Sequence, residues 1–270
     1  MLHANDNWHV SGLVVLISFI IVLNVIIAQQ GKVPTIRRIP GLNAIDEAIG
    51  RATEMGRPAL MIPGITGLDV GTLAGLSILG HIARSIARFG NKVILLSADP
   101  IVTGVAEETV RDAYADAGRQ DLYTDDDVRY LTSEQFAFAA GAAGIINREK
   151  PGAAFLFGNF FAESLIFAET GQQIGAIQIA GTPQTEQIPF FLAACDYVII
   201  GEEYYAASAY ITRNPTYLGS IVGQDISKLI LITMVLIGVV VASIDQYAGA
   251  HGLHHLSINL HKYYLDLLKT

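Results

Sequence analysis

The chain has 270 residues, of which 51% are apolar, with a mean hydropathy of +0.42 and a formal net charge of −8. That length supports one sizeable domain plus membrane segments. The span from Lys32 to Lys228 holds 15 Lys and Arg (all but Lys262 and Lys269). It holds 22 Asp and Glu (all but Asp6, Asp245 and Asp266), which excludes the clustered basic footprint of a nucleic-acid binder.

The first element is an uncharged run, Gly12–Ala28, about as long as a helix needs to cross hydrocarbon. No Lys or Arg precedes it, and IIAQQG is a poor cleavage site, so it reads as an uncleaved anchor rather than a signal peptide. Asn24 inside it is expected to hydrogen-bond to a second span or to another subunit. A linker bounded by Pro34 and Pro40 follows, then an amphipathic helix over Asn43–Met55.

From there short apolar runs alternate with helical stretches. The strands expected are 59–63, 92–98, 128–132, 153–158, 176–181 and 197–201. The helices expected between and after them are 69–88, 102–117, 133–148, 160–172, 184–194 and 202–212. That alternation is the signature of βαβ units and a parallel sheet buried on both faces. The predicted fold is therefore α/β: an open, mostly parallel, doubly wound (Rossmann-like) sheet, flanked by N- and C-terminal transmembrane helices. Gly31, the turn around Arg213–Pro215 and Gly219 read as hinges to the second membrane segment, whose uncharged run is Leu229–Ile244. Lys228 is placed to snorkel at its edge. The expected division is a 1–30 anchor, a 31–220 α/β domain, a 221–246 transmembrane helix and an amphipathic, histidine-containing tail over 247–270.

Lys32, Arg37 and Arg38 after the first span and Lys228 before the second carry the positive-inside signal. It places the domain in the cytoplasm and both termini outside the cell membrane, as a two-pass protein. The single Cys195 excludes an internal disulfide, fits a reducing compartment and reads as a small buried hydrophobe. In the tail His251, His254, His255 and His261 match no metal-binding spacing, so no metal site is assigned.

In an open parallel sheet, ligands bind beyond the carboxyl ends of the strands. The candidate ligand residues there are Gly64, Thr66, Gly67, Asp69, Asp99, Asn159, Glu163, Thr182 and Glu202. Gly64, Gly67 and Gly71 resemble a dinucleotide loop, with Asp99 placed to meet a ribose hydroxyl, but the spacing is GxxGxxxG rather than GxGxxG. The plainer reading is a tight turn with Asp69 as N-cap of the following helix. Glu163, Glu186, Glu202 and Glu203 all fall near strand ends and would suit a cation or general acid–base work. Helix-dipole preference explains Glu186 and Glu202 equally well.

His81 is the only histidine between Lys32 and Lys228, Arg213 is the only basic residue between Lys150 and Lys228, and the chain has no GxSxG elbow and no P-loop. No catalytic residue and no cofactor is assigned, and an enzyme is the less favoured reading. The stretches PGLNAIDEAIGRATEMGRPALMIPG, GNFFAESLIFAETGQQIGAIQIAGT and QIPFFLAACDYVIIGEEYYAASAYIT resemble an uncharacterised family of prokaryotic membrane proteins with a hydrophobic segment at each end. The resemblance implies the same layout and no activity.

The leading expectation is a membrane-anchored scaffold or assembly protein whose partners are the lipid bilayer and further copies of itself, with another membrane protein as a further candidate. The alternative is a sensor or enzyme that binds a small molecule or nucleotide at the strand ends.

Overall fold

The computed structural model of the chain describes residues 8–31 and 40–250. Residues 35–39 of the expected linker, the basic residues Lys32, Arg37 and Arg38, and the tail from 251 onward lie outside the described residues. Two compact units emerge, one of residues 36–213 and one formed by the two ends of the chain.

The larger unit is a six-stranded, all-parallel sheet. Its strands are β1 (Ala59–Gly64), β2 (Val93–Ser97), β3 (Val128–Tyr130), β4 (Ala153–Asn159), β5 (Ile177–Thr182) and β6 (Tyr197–Ile200). The spatial order is β3-β2-β1-β4-β5-β6, so the winding reverses between β1 and β4. Every strand lies within two residues of its expected bounds, because each is an apolar run cut off by a turn or a helix cap. β1, β2 and β4 are buried almost throughout, as strands covered on both faces must be.

One face carries α2 (Pro40–Glu54), α3 (Val70–Arg88), α4 (Pro100–Asp116) and α8 (Glu202–Thr212). Its core holds Ile45, Ile49, Ile78, Ile82, Tyr114 and Phe155. The other face carries α5 (Gln135–Glu149), α6 (Glu163–Gln173) and α7 (Ile188–Ala194). There Phe138, Phe160, Phe167 and Phe191 meet edge to face, with ring centroids 5.3–6.4 Å apart.

The helix α3 is long and apolar enough to cross a membrane, yet it serves as an interior helix. Gly75 lets it approach β4 so closely that a Cβ there would stand 2.4 Å from the Phe157 carbonyl oxygen. The expected small, buried Cys195 is half-buried, and burial together with the neighbouring Asp196 carboxylate pushes its thiol up to about 12.

The smaller unit is a helix pair, α1 (Trp8–Gln29) and α9 (Pro215–Ala250). Both are long and apolar enough to span a membrane. Helix α9 begins well before the uncharged run Leu229–Ile244 and passes without a break through Gly219, so the hinge expected there is absent. Gly219 is packing instead. A Cβ on Gly219 would lie 2.7 Å from Val25 Cα, and one on Gly223 would lie 2.8 Å from Ile21 Cα. This GxxxG pair lets the two backbones touch, as small residues do where lipid supplies no hydrophobic drive. Asn24 Nδ2 donates to the Ile20 carbonyl of its own helix at 2.9 Å.

Candidate functional site

The winding reverses between β1 and β4, and a doubly wound sheet holds its ligands in the crevice outside the carboxyl ends of the strands at such a point. Five of the expected residues meet there. Gly64 ends β1 with φ +86°, and a Cβ on it would strike the Asn159 carbonyl oxygen at 2.5 Å. Asn159 ends β4, and its Nδ2 donates to both carboxylate oxygens of Asp69, at 3.0 and 2.8 Å. The Thr72 N–H donates to Asp69 Oδ1 at 2.8 Å, which makes Asp69 the N-cap of α3. Thr66 Oγ1 lies 3.2 Å from Thr72 Oγ1, and the Thr72 hydroxyl donates to the Gly67 carbonyl.

Partial burial works to raise the Asp69 pKa. Donation from the Thr72 N–H and from the Asn159 amide, with the Thr66 and Thr72 hydroxyls nearby, outweighs it, so the carboxyl sits below its ordinary value. The position at a helix N-terminus that would receive a ligand phosphate thus already contains an ionised carboxylate of the chain itself.

Asp99 caps the neighbouring helix. Its Oδ1 accepts from the Ile101 and Val102 N–H groups at 2.8 and 3.0 Å, opening α4. Its Oδ2 faces the β1 loop, 3.7 Å from where a Cβ on Gly67 would stand. Fully buried Thr182 ends β5, and its hydroxyl accepts from the Gln184 N–H at 3.2 Å. The Gln184 side chain in turn accepts from the Phe160 N–H.

The carboxylates near the other strand ends do not converge. Glu163 is fully buried, accepting from Gln135 Nε2 at 2.6 Å and from the Phe161 N–H at 2.8 Å. It ties α5 to the start of α6. Glu186, Glu202 and Glu203 are exposed, Glu202 in the first turn of α8, where the helix dipole favours it. Among the described residues no group of three or more His, Cys, Asp or Glu is placed to hold a metal ion.

Sequence reasoning missed Tyr204. It is fully buried, and its hydroxyl donates to the Gly71 carbonyl at 2.7 Å, fastening α8 to the first turn of α3. Burial, with Tyr205 and Asp69 nearby, raises its pKa well above that of free tyrosine. The signal was the spacing of Gly71 and Gly75, which marks where a bulky partner approaches α3: a Cβ on Gly75 would lie 2.6 Å from the Tyr204 hydroxyl oxygen. A separate cavity of about 440 Å³ among α3, α4 and the end of α8 is lined by His81, Arg84, Asp112 and Asp116. Arg84 and Asp116 are both well exposed and pair there, which contributes little stability. Burial first, then the charge of Arg84, lowers the His81 pKa.

Fold and ends together define a doubly wound α/β protein with a helix at each end long and apolar enough to cross a membrane. The chain belongs to the family described as a domain of unknown function, DUF6754, whose model matches residues 2–252. No curated protein and no solved structure matches it.

Proposed function

We propose that this chain is a membrane-anchored scaffold whose α/β domain lies in the cytoplasm and associates with further copies of itself, rather than an enzyme. The observation that carries the reading is the closed polar network of the crevice. Asp69 fills the anion-binding end of α3 and is held there by Asn159 and Thr72. Asp99 caps α4, and Glu163 is spent on Gln135. A dinucleotide would have to bring its phosphates against the Asp69 charge, an arrangement that like-charge repulsion disfavours.

Lys32, Arg37 and Arg38, which follow the first apolar run in the sequence, support the cytoplasmic side. Native mass spectrometry of the full chain extracted into nanodiscs tests the reading. A defined homo-oligomer without a retained small molecule is the expected result, and a monomer would contradict it.

A second reading keeps one observation on its side: the crevice lies at the switch point of the sheet, ringed by Thr66, Asp99 and Asp69. Two carboxylates there select a cationic or hydroxyl-rich ligand rather than a phosphate. The same spectrum discriminates, because such a ligand would remain as added mass, and Asp99→Asn would remove it.

A further inference from the structure

At the carboxyl edge of the sheet the polar network is closed, but the apolar side chains beside it stand in the open. Leu68 and Val70 flank Asp69, and Ile101 gives its N–H to Asp99. Phe136 follows Gln135, and Phe161 gives its N–H to Glu163. These five side chains are 45–72% exposed. They belong to one patch, because the polar residues beside them join the loops. Asn159 at the end of β4 donates to Asp69, and Gln135 donates to Glu163. Asp99 Oδ2 faces the loop at Gly67.

Single apolar side chains are ordinary on a protein surface, whereas a connected patch with a polar surround marks a contact. The charge around this patch is of one sign. Segments 64–70, 97–102, 130–136, 158–164, 181–188 and 200–205, which follow the six strands, hold seven carboxylates and no Lys, Arg or His. The helix dipole favours carboxylates at these helix starts. It supplies no reason for Val70, Ile101 and Phe136 to meet water in the first turns of α3, α4 and α5.

We propose that this edge is a docking surface for a segment of another protein that carries Lys or Arg among apolar side chains. The inference rests on the scaffold reading above and names what the scaffold holds. The apolar patch supplies the contact area, and the carboxylates around it select the sign of the partner's charge. Asp69 and Glu163 are held by donors of their own chain and act through their charge alone. Glu134 and Glu186 are exposed and placed to meet the partner's cations directly. The same charge turns away other occupants. An anionic lipid surface or a nucleic acid would meet only like charge. A second copy presenting this edge would set carboxylate against carboxylate.

The probes are three labelled peptides of equal length, one built from Lys and Leu, one from Glu and Leu, one from Lys and Ser. Each is titrated by fluorescence anisotropy against the full chain in nanodiscs of zwitterionic lipid, with binding to empty nanodiscs subtracted. The Lys/Leu peptide should bind at least about tenfold tighter than either of the others, and more weakly as salt is raised. Val70→Ser, Ile101→Ser and Phe136→Ser should each weaken it several-fold. Leu192→Ser, exposed on α7 outside these segments, should not. Glu134→Lys with Glu186→Lys should shift the preference toward the Glu/Leu peptide. Equal binding of the Lys/Leu and Lys/Ser peptides, or binding that the apolar variants leave unchanged, overturns the docking surface and leaves the scaffold reading standing. A fall in subunit count in the apolar variants, read by native mass spectrometry, assigns the patch to self-association and overturns the basic partner. A monomeric wild-type chain that keeps the Lys/Leu preference supports the docking surface and overturns self-association alone.

Discussion

In the α/β unit, the carboxylates of Asp69, Asp99 and Glu163 each end on donors of the same unit, at 2.6–3.0 Å. In the helix pair, Asp225 and Lys228 face each other across 3.9 Å and are largely exposed. Both units use glycine to bring backbones into contact, Gly64 and Gly75 in the sheet, Gly219 and Gly223 between the helices. What differs is the polar accounting. The sheet unit bonds its strand-end carboxylates internally, although the Tyr123 hydroxyl and Gln178 Oε1 are buried in it without a partner. The helix pair instead carries an exposed ion pair between Asp225 and Lys228. The contrast teaches that a polar residue at a strand end is weak evidence for a ligand when its partner lies in the same unit.

The contrast can be sharpened by breaking each unit in turn. The largest effect is expected from Gly64→Ala, which forces a side chain into φ +86° and against the Asn159 backbone. Denaturant unfolding should show a loss of about 3 kcal/mol. Glu163→Ala strands the Gln135 amide and the Phe161 N–H, and should cost about 2 kcal/mol by the same measurement. In the helix pair, Gln29 Nε2 donates to Thr216 Oγ1 at 3.3 Å. A disulfide engineered as Gln29→Cys with Thr216→Cys should therefore form readily, and adding Gly223→Leu should slow it about tenfold. An unchanged rate would show that the glycines do not seat α1.

Asp69 predicts a smaller, pH-dependent term. Its folded pKa lies below the ordinary value, so its contribution is fully present above about pH 4 and is lost as the pH falls through the folded pKa. Asp69→Ala should cost about 1 kcal/mol at pH 7, and the difference from wild type should shrink in acid. The smallest effect concerns Cys195, whose thiol is pushed up to about 12 by burial and Asp196. Maleimide labelling at pH 7 should be slow in the folded chain and rapid only after denaturation.

The strands were legible because each is a short apolar run closed by its own turn, and the helix faces because their apolar periodicity is local. Asp69 as an N-cap was readable for the same reason, since its partner Thr72 is three residues away. The bond from Asn159 was not, because it spans 90 residues and exists only once β1 and β4 are neighbours. Glu163 read as a strand-end carboxylate among others, although its partner, 28 residues upstream on α5, makes it a buried tie. The helix pair shows the same limit. The run Leu229–Ile244 located a helix long and apolar enough to span a membrane, but the long start of α9 and the seating role of Gly219 depend on register against α1. Side-chain periodicity within one helix contains no information about that register.

The most direct test of the scaffold account is the subunit count of the wild-type full chain in nanodiscs, measured by native mass spectrometry without crosslinking. The account predicts a defined homo-oligomer with no retained small molecule. A monomer would contradict it, and a monomer with bound ligand mass would shift the function to the crevice between β1 and β4.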